Sequence, residues 1–185
     1  MLYDKDIREP LFDFLEDFYG KMRILEEKTM GRSRADAVMV LPEALVGLEI
    51  KSDADTYSRL ARQVKDYNQY FDYNVIVVGT RHALHVGEHI PDWWGIITVE
   101  QVEGVVDLYF YRKPRPNPKV NWKKKMSLLW KRELSNIQAE NRLPKYRKKS
   151  KSFIVDVLLA RVPQETLRTQ ISEELFERDY SMFSE

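Results

Sequence analysis

The chain has 185 residues, of which 43% are hydrophobic and 32% charged, and it contains no cysteine. This composition predicts a folded protein with one domain and an appendage, and it excludes disulfide bonds and thiolate zinc sites. No apolar run reaches the roughly 20 residues of a membrane-spanning helix, and the N-terminal sequence lacks the pattern of a signal peptide, so we expect a cytoplasmic protein.

Charge is distributed unevenly along the chain, although the net charge is only +1. Residues 112–151 hold 15 Lys or Arg and 2 Asp or Glu, whereas the remainder holds 15 basic and 27 acidic residues. Such segregation indicates a polyanionic partner. Within this basic segment we expect Arg147, Lys148 and Lys149 to contact nucleic acid. The alternative is a solubilising surface, or a surface that faces the acidic side of another subunit.

The first elements are a helix and a strand. An amphipathic helix is predicted over Asp4–Phe18, with Asp4 as a possible cap and Gly20 at its end. Its apolar side chains recur at helical spacing, at Ile7, Leu11, Phe14, Leu15 and Phe18. The stretch Met22–Glu27 then predicts a strand that leads into a turn over Thr29–Ser33.

The next two apolar runs predict a β-hairpin. They are Ala35–Leu41 and Leu45–Lys51, separated by a turn at Pro42-Glu43. If the turn centres on that dipeptide, Asp36 lies opposite Glu49, with Cβ atoms roughly 4.5–5.5 Å apart. Since strand side chains alternate between faces, the side chain of Lys51 emerges on the same face as that of Glu49.

Two carboxylates and an ammonium group therefore project together from apolar strands. Paired carboxylates repel each other, and burial disfavours both charges. Mg²⁺ binds through one or two carboxylates plus water and substrate phosphate, and such a metal polarises phosphoryl oxygens and activates water. A lysine beside it can stabilise developing negative charge. The pattern favours metal-assisted phosphodiester hydrolysis over its alternative, a surface hairpin that ends in a solvated salt bridge.

After the hairpin, a helical stripe follows the cap-like residues Ser52–Asp55 and runs from Tyr57 to Phe71. The unbroken apolar run Asn74–Gly79 predicts a strand buried on both faces, which the helix connects in parallel to the hairpin. The three histidines come next, and no acidic or cysteine pattern supports a metal site there. They are His82, His85 and His89.

The rest of the chain predicts two more strands and a helical region. The strands are Ile96–Val99 and Val105–Tyr111, and the proline-rich stretch Arg112–Pro118 follows them. We expect one helix through Leu128–Ile137, a second through Phe153–Leu159, and a third that starts near Pro163. The predicted domains are therefore a core over residues 1–115 and a basic helical region over residues 116–185.

Three elements carry a family resemblance: Asp36, then Glu49-x-Lys51 on the next strand, then Gln63-x-x-x-Tyr67 on a helix. This arrangement resembles the PD-(D/E)xK nuclease superfamily, and the helix motif is similar to that of its RecB-like exonuclease branch. Small bacterial and phage proteins of the superfamily are similar too. The resemblance covers roughly residues 4–100, with Ala35 in place of the usual proline before the aspartate. It implies a restriction-endonuclease-like α/β fold, with a central mixed β-sheet flanked by helices. The C-terminal helical region is predicted separately, from the apolar spacing beyond residue 116.

The resemblance also implies a set of site residues. The catalytic residues would be Asp36, Glu49, Lys51 and Gln63. Mg²⁺ or Mn²⁺ would be held by Asp36, Glu49 and the carbonyl of Ile50. Tyr67 would contact nucleic acid, although its place in the apolar stripe is also that of a core aromatic residue. A further acidic residue often completes such a site, for which the candidates are Asp6, Glu9 and Glu27.

The function expected from these features is that of a metal-dependent nuclease, a phosphodiesterase that acts on DNA rather than RNA and has no membrane partner. One alternative is a nucleic-acid-binding or assembly protein that keeps the nuclease fold without catalysis. Another is an RNA-processing nuclease with the same site. The sequence leaves the endo- or exonucleolytic mode and the oligomeric state open.

Overall fold

Six strands form one mixed sheet, in which the spatial order of the strands follows their order along the chain. The computed structural model describes residues 2–181. Strands β1 to β3 are antiparallel, β3 to β5 are parallel, and β6 returns antiparallel to β5. Their bounds are β1 Arg23–Met30, β2 Ser33–Leu41, β3 Ala44–Lys51, β4 Tyr73–Gly79, β5 Gly95–Val102 and β6 Val105–Arg112. The predicted α/β class with a mixed sheet is confirmed.

Helices cover both faces of this sheet. One face packs against α1, and the other packs against α2 and the helices that follow β6. The helices are α1 Asp4–Tyr19, α2 Leu60–Tyr70, α3 Thr80–Ala83, α4 Trp122–Ser127, α5 Lys131–Glu140, α6 Lys151–Arg161 and α7 Gln164–Phe176. The predicted C-terminal helical region is thus confirmed. Within residues 2–181, no helix has the length and apolar character needed to cross a membrane.

The β2–β3 hairpin has the predicted register. Leu41 pairs with Ala44 next to the turn, and Ala37 pairs with Leu48 at the far end of the ladder. Continuing this register by one residue places Asp36 beside Glu49. The position of a hairpin turn determines every cross-strand pair, so the proline-containing turn was sufficient to predict which residues meet.

Helix α2 lies very close to β3 because Gly47 has no side chain. A Cβ atom at Gly47 would be 2.4 Å from Cδ2 of Phe71 and 2.6 Å from Cδ1 of Tyr67. Real Cβ atoms do not approach other atoms this closely, so any larger residue would push the helix away. This contact lets side chains of α2 reach the end of β3, two residues beyond the glycine.

The C-terminal helices are joined to the core by a buried ion pair. Lys125 Nζ lies 2.7 and 2.8 Å from the two carboxylate oxygens of Asp72. Asp72 also accepts a hydrogen bond of 2.8 Å from the backbone of Leu45, and Arg168 on α7 approaches its carboxylate at 3.2 Å. Residues on both sides of position 115 therefore share one hydrophobic core, and the division of the chain at that position stays a prediction.

Several predicted boundaries were wrong, and three of them have a local reason. Strand β1 continues to Met30, because Gly31 at φ 58° allows a tight turn over residues 31–32. Helix α2 starts at Leu60 rather than Tyr57, because the residues before it form a turn. In that turn the Asp55 carboxylate accepts hydrogen bonds of 2.9 and 2.7 Å from the backbone N–H and the hydroxyl of Ser52.

The third wrong boundary lies in the C-terminal region. Of the single helix predicted through Leu128–Ile137, residues 131–137 belong to α5, but residues 128–130 form the connection from α4 to α5. Trp130 has an extended backbone, with φ −76° and ψ 159°, so no helix can continue through it. Its backbone N–H donates to the Glu133 carboxylate at 2.6 Å, which caps the start of α5.

Candidate functional site

A polar cleft of about 280 Å³ opens where β2 and β3 separate, beyond the Ala37–Leu48 pair. Its walls come from the start of α1, the β1–β2 turn, the end of β3 and the first turn of α2. The predicted residues Asp36, Glu49, Lys51 and Gln63 all line it, as does Ile50. The structure therefore brings the predicted catalytic residues together in one place.

Glu49 lies at the centre of this group. Its side chain is only 1% exposed, and three other side chains contact its carboxylate. Oε1 lies 2.7 Å from Lys51 Nζ and accepts a hydrogen bond of 2.5 Å from the Gln63 amide, while Oε2 lies 2.9 Å from the Tyr67 hydroxyl. A buried carboxylate is tolerated only when it is paired and hydrogen-bonded, and these three partners meet that requirement.

The Tyr67 hydroxyl explains why the two strands separate. It accepts a hydrogen bond of 3.3 Å from the backbone N–H of Asp36 and lies 2.7 Å from the carbonyl oxygen of Leu48. The hydroxyl thus stands between the two backbones where the next ladder hydrogen bond would form. Burial, together with the negative charges of Glu49 and Asp36, raises the pKa of Tyr67 well above its usual value, so the hydroxyl keeps its proton.

The structure does not place Tyr67 where the sequence prediction put it. Its side chain is 0% exposed, and a fully buried ring cannot touch a nucleic acid. The prediction followed a motif in which only the helical spacing was visible, and that spacing is equally typical of a core aromatic residue. The Tyr67 hydroxyl instead contacts the buried carboxylate of Glu49 and helps to hold it in place.

Asp36 is the second carboxylate of the cleft. Its Oδ2 accepts a hydrogen bond of 2.8 Å from the backbone N–H of Ile50. Burial and then the neighbouring charge of Glu49 raise the pKa of Asp36 to about 7, although the Ile50 hydrogen bond and Arg8 act in the opposite direction. The surrounding groups therefore do not fully stabilise two ionised carboxylates side by side, and a bound cation would stabilise them.

Several donor atoms at this point suit a hard divalent cation. The carboxylates of Asp36 and Glu49 face one cleft, and the carbonyl of Ile50 points to the same side as its N–H, toward Asp36. The side-chain oxygen of Gln63 is buried and has no hydrogen-bond partner. Two carboxylates with a carbonyl and water form an oxygen set that fits Mg²⁺.

Clusters of three or more His, Cys, Asp or Glu side chains that could hold a metal are absent from residues 2–181. Within the described residues, Asp36 and Glu49 would therefore bind a metal without a third acidic side chain close enough to share it. The histidines of the α3 region instead contact an aromatic ring, because the Tyr57 ring lies edge-on to His82 and tilted against His89, with ring centroids 5.0 and 4.4 Å away.

The acidic residues proposed to complete the site lie elsewhere. Asp6 accepts a hydrogen bond of 3.0 Å from the backbone N–H of Tyr3 at the start of α1, and Glu9 is exposed on the same helix. Glu27 has φ 52° and lies 3.3 Å from Arg34 on the surface. None of these three carboxylates lines the cleft.

Asp4 is the acidic residue of α1 that does line the cleft, and its charge contributes to the raised pKa of Asp36. Arg8 holds it in place, since its Nε lies 2.8 Å from Asp4 and its Nη1 donates to the carbonyl of Asp36 at 3.2 Å. From the sequence, Asp4 was expected only to cap the helix, but the N-cap residue is Tyr3 and Asp4 lies in the first turn. The useful signal was Arg8, one helical turn later, which pairs with Asp4 at i, i+4 spacing.

The basic residues lie in two separate places. Arg147, Lys148 and Lys149 are exposed in the connection between α5 and α6, and none of them lines the cleft. The cleft has its own arginines at positions 32, 34, 59 and 62, and those of α2 were not recognised from the sequence. An arginine at the start of a helix carries no distinguishing pattern, because only tertiary packing brings it to a site.

Comparison with known proteins gives the family. A family model described as Bacteriophage P4 protein cII matches residues 2–185. The chain belongs to this family. Among solved structures, the chain is similar to Pyrococcus furiosus SfsA in complex with Ca²⁺, at 13% identity and a TM-score of 0.38, over 60% of this chain and 62% of that one. No curated protein matches the chain.

Proposed function

We propose that this protein is a divalent-metal-dependent nuclease that hydrolyses phosphodiester bonds of nucleic acid, with DNA preferred over RNA. The observation that carries the proposal is the convergence of Asp36, Glu49, Lys51 and Gln63 on one cleft from two strands and a helix. The resemblance to the PD-(D/E)xK superfamily supports the same reading. A hairpin that ends in a solvated salt bridge would not bury Glu49 and Lys51 to 1% and 5% side-chain exposure.

The residues that would hold the metal are Asp36, Glu49 and the carbonyl of Ile50. When bound there, Mg²⁺ or Mn²⁺ would supply Lewis-acid polarisation of a phosphoryl oxygen and acidification of water. The raised pKa of Asp36 and the unpartnered oxygen of Gln63 support this assignment.

Lys51 and Gln63 then have distinct tasks. The ammonium group of Lys51 is fixed by Glu49 at 2.7 Å, so it is positioned in advance to stabilise negative charge that develops on a phosphate. The Gln63 amide donates to Glu49, which leaves its oxygen to accept a hydrogen bond from an attacking water. Tyr67 touches no substrate and is a positioning residue, because its hydroxyl holds Glu49 and separates the two strands.

Cleavage assays test the proposal directly. Labelled single- and double-stranded DNA and RNA are incubated with Mg²⁺, with Mn²⁺ or with chelator. We expect metal-dependent cleavage that is lost in Asp36→Asn and Glu49→Gln, with metal affinity measured separately by calorimetry. Glu43→Gln is the matched control, because Glu43 is exposed in the turn at the opposite end of the same hairpin. Full metal-dependent cleavage by Asp36→Asn would show that the site assignment is wrong.

A further inference from the structure

Three arginines at the cleft have no acidic partner among residues 2–181. Arg32 lies in the β1–β2 turn, and Arg59 and Arg62 lie at the start of α2, so the cleft has basic groups from two different elements. All three side chains are exposed, and none forms an ion pair within residues 2–181. Arg59 immediately precedes α2 and Arg62 lies in its first turn, so two like charges are only three residues apart and repel each other.

Carboxylates are present nearby, but they are engaged elsewhere. Asp66 is one helical turn after Arg62 and could pair with it, yet its carboxylate accepts a hydrogen bond of 2.5 Å from the Ser33 hydroxyl. Asp55 accepts from Ser52. The fourth arginine of the cleft, at position 34, is paired with Glu27. In the part of the chain that the structure describes, the carboxylates of Asp66 and Asp55 therefore accept hydrogen bonds from serine residues and form no ion pair with these three arginines.

The two elements that carry the arginines are held against each other. A Cβ atom at Gly31 would be only 3.0 Å from Oδ1 of Asp66, so the turn packs directly on α2 at this glycine. The hydrogen bond from Ser33 to Asp66 fixes the same contact from the other side of Arg32. The arginines thus project from a defined platform rather than from a loose loop.

We propose that Arg32, Arg59 and Arg62 bind the backbone phosphates of the nucleic-acid strand that enters the cleft. This inference rests on the proposed function and names its substrate contact. Guanidinium groups bind phosphate through paired, charge-assisted hydrogen bonds. An anion bound by the arginines relieves the repulsion between their positive charges. Without a bound metal ion, the carboxylates of Asp36 and Glu49 repel a phosphate from the interior of the cleft. The nucleic-acid strand is therefore held at the entrance of the cleft, where Arg32, Arg59 and Arg62 bind phosphates on either side of the one at the metal site.

The experiment measures binding in chelator, where no cleavage occurs. Fluorescent single- and double-stranded DNA and RNA are titrated over a salt series with the full chain and with single Arg→Gln variants at positions 32, 59 and 62. Each lost phosphate contact should reduce the slope of log K against log salt by about 0.9 for duplex DNA and about 0.7 for single strands. For duplex DNA, the loss of affinity caused by a fourfold rise in salt should then be about 3.5-fold smaller in a variant that has lost one contact than in the wild type.

Two controls accompany the variants. Arg161→Gln removes one exposed charge at the end of α6, outside the cleft, and should leave the slope unchanged. Arg59→Lys and Arg62→Lys keep the charge and should retain most of the slope, although they lose the paired hydrogen bonds. Inorganic phosphate is the competitor that separates a polymer site from a site for free phosphate.

The inference is overturned if all three Arg→Gln variants keep the wild-type slope, as Arg161→Gln does. It is also overturned if inorganic phosphate competes as well as an oligonucleotide of equal phosphate content. Failure of the proposed function gives a different result. If the protein binds nucleic acid through these arginines but cleaves it with no metal, the nuclease proposal is wrong and the phosphate-binding role of the arginines stands. If the protein cleaves with metal but its binding is unchanged in the three arginine variants, only the phosphate-binding role of the arginines is wrong.

Discussion

Lys51 Nζ lies 2.7 Å from Glu49 Oε1, and the two side chains are only 5% and 1% exposed. Both residues are on β3, two positions apart on one face of the strand. A buried ion pair gains little over apolar residues of the same size, but removing one partner leaves an uncompensated charge. Asp36 lines the same cleft, so this ion pair lies beside a second carboxylate.

We expect Lys51→Met to keep metal and nucleic-acid affinity but to lower kcat by about 10²- to 10³-fold, because a transition-state contact is lost. The free energy of unfolding without metal should fall by roughly 3–5 kcal/mol, since Glu49 remains buried and unpaired. Steady-state kinetics and urea unfolding in chelator measure the two effects. Normal kcat combined with weaker binding would make Lys51 a ground-state phosphate contact instead.

The pKa of Asp36 predicts how the stability of the metal-free protein depends on pH. This pKa is raised from 3.8 to about 7, so the folded state binds the proton more tightly than the unfolded state does. The contribution of Asp36 to stability is therefore fully present below about pH 4 and is lost as the pH rises through 7. Asp36→Asn lacks this loss, so the variant should be more stable relative to wild type at pH 8 than at pH 4.

Urea unfolding in chelator at pH 4, 6 and 8 tests this difference, which should reach on the order of a few kcal/mol. Glu43→Gln, at the other end of the hairpin, is the control and should show no such trend. A stability difference between Asp36→Asn and wild type that is the same at all three pH values would mean that the Asp36 carboxyl titrates normally.

Tyr67→Phe separates a positioning role from contact with nucleic acid. The variant removes a hydroxyl that lies 2.9 Å from Glu49 and 2.7 Å from the Leu48 carbonyl. We expect a loss of stability of about 1–3 kcal/mol and a fall in kcat of about 10-fold or more, with unchanged nucleic-acid affinity. Tyr70→Phe, a buried tyrosine on the same helix, should leave kcat unchanged. Weaker binding by Tyr67→Phe at normal kcat would contradict the positioning role.

The carboxylate pair was predictable from sequence because a hairpin is local. Once the turn is placed at Pro42, the register follows, and Asp36 meets Glu49 without any knowledge of the rest of the fold. Gln63 was found in a different way, through its spacing from Tyr67 in a family motif. Its contact with Glu49 depends on Gly47, which had no visible role in the sequence.

The residues that escaped prediction depend on contacts between distant elements. Asp4 reaches the cleft because α1 packs on the opposite face of the sheet with its first turn beside Asp36. Lys125 was counted among the basic residues of a presumed binding surface, yet it is fully buried against Asp72. Charge counting along a chain cannot separate a surface cation from a structural one, because both have the same sequence signal.

The variant Lys125→Met tests whether Lys125 is a structural cation or part of a binding surface. The substitution leaves Asp72 buried with only the partly exposed Arg168 as a charged partner, so the free energy of unfolding should fall by roughly 3–5 kcal/mol. Where the variant remains folded, the salt dependence of nucleic-acid binding should equal that of wild type, because Lys125 is inaccessible. Thermal unfolding and binding titrations measure the two quantities. A reduced salt slope would place Lys125 at the binding surface.

The exposed basic residues should behave in the opposite way. Neutralising Arg147, Lys148 and Lys149 together should flatten the salt slope by up to about 0.9 per contacted duplex phosphate and weaken binding similarly across sequences. Stability should change little, because all three side chains are exposed between α5 and α6. Metal affinity should also be unchanged, since none of them lines the cleft.

The competing view assigns these three charges to solubility or to contact with an acidic surface of a second subunit. Binding would then be indifferent to the triple substitution, while self-association measured by sedimentation would change. Because the wild type and the variant are compared at several salt concentrations, a change in slope identifies phosphate contacts. A change in oligomeric state without a change in slope identifies the subunit contact instead.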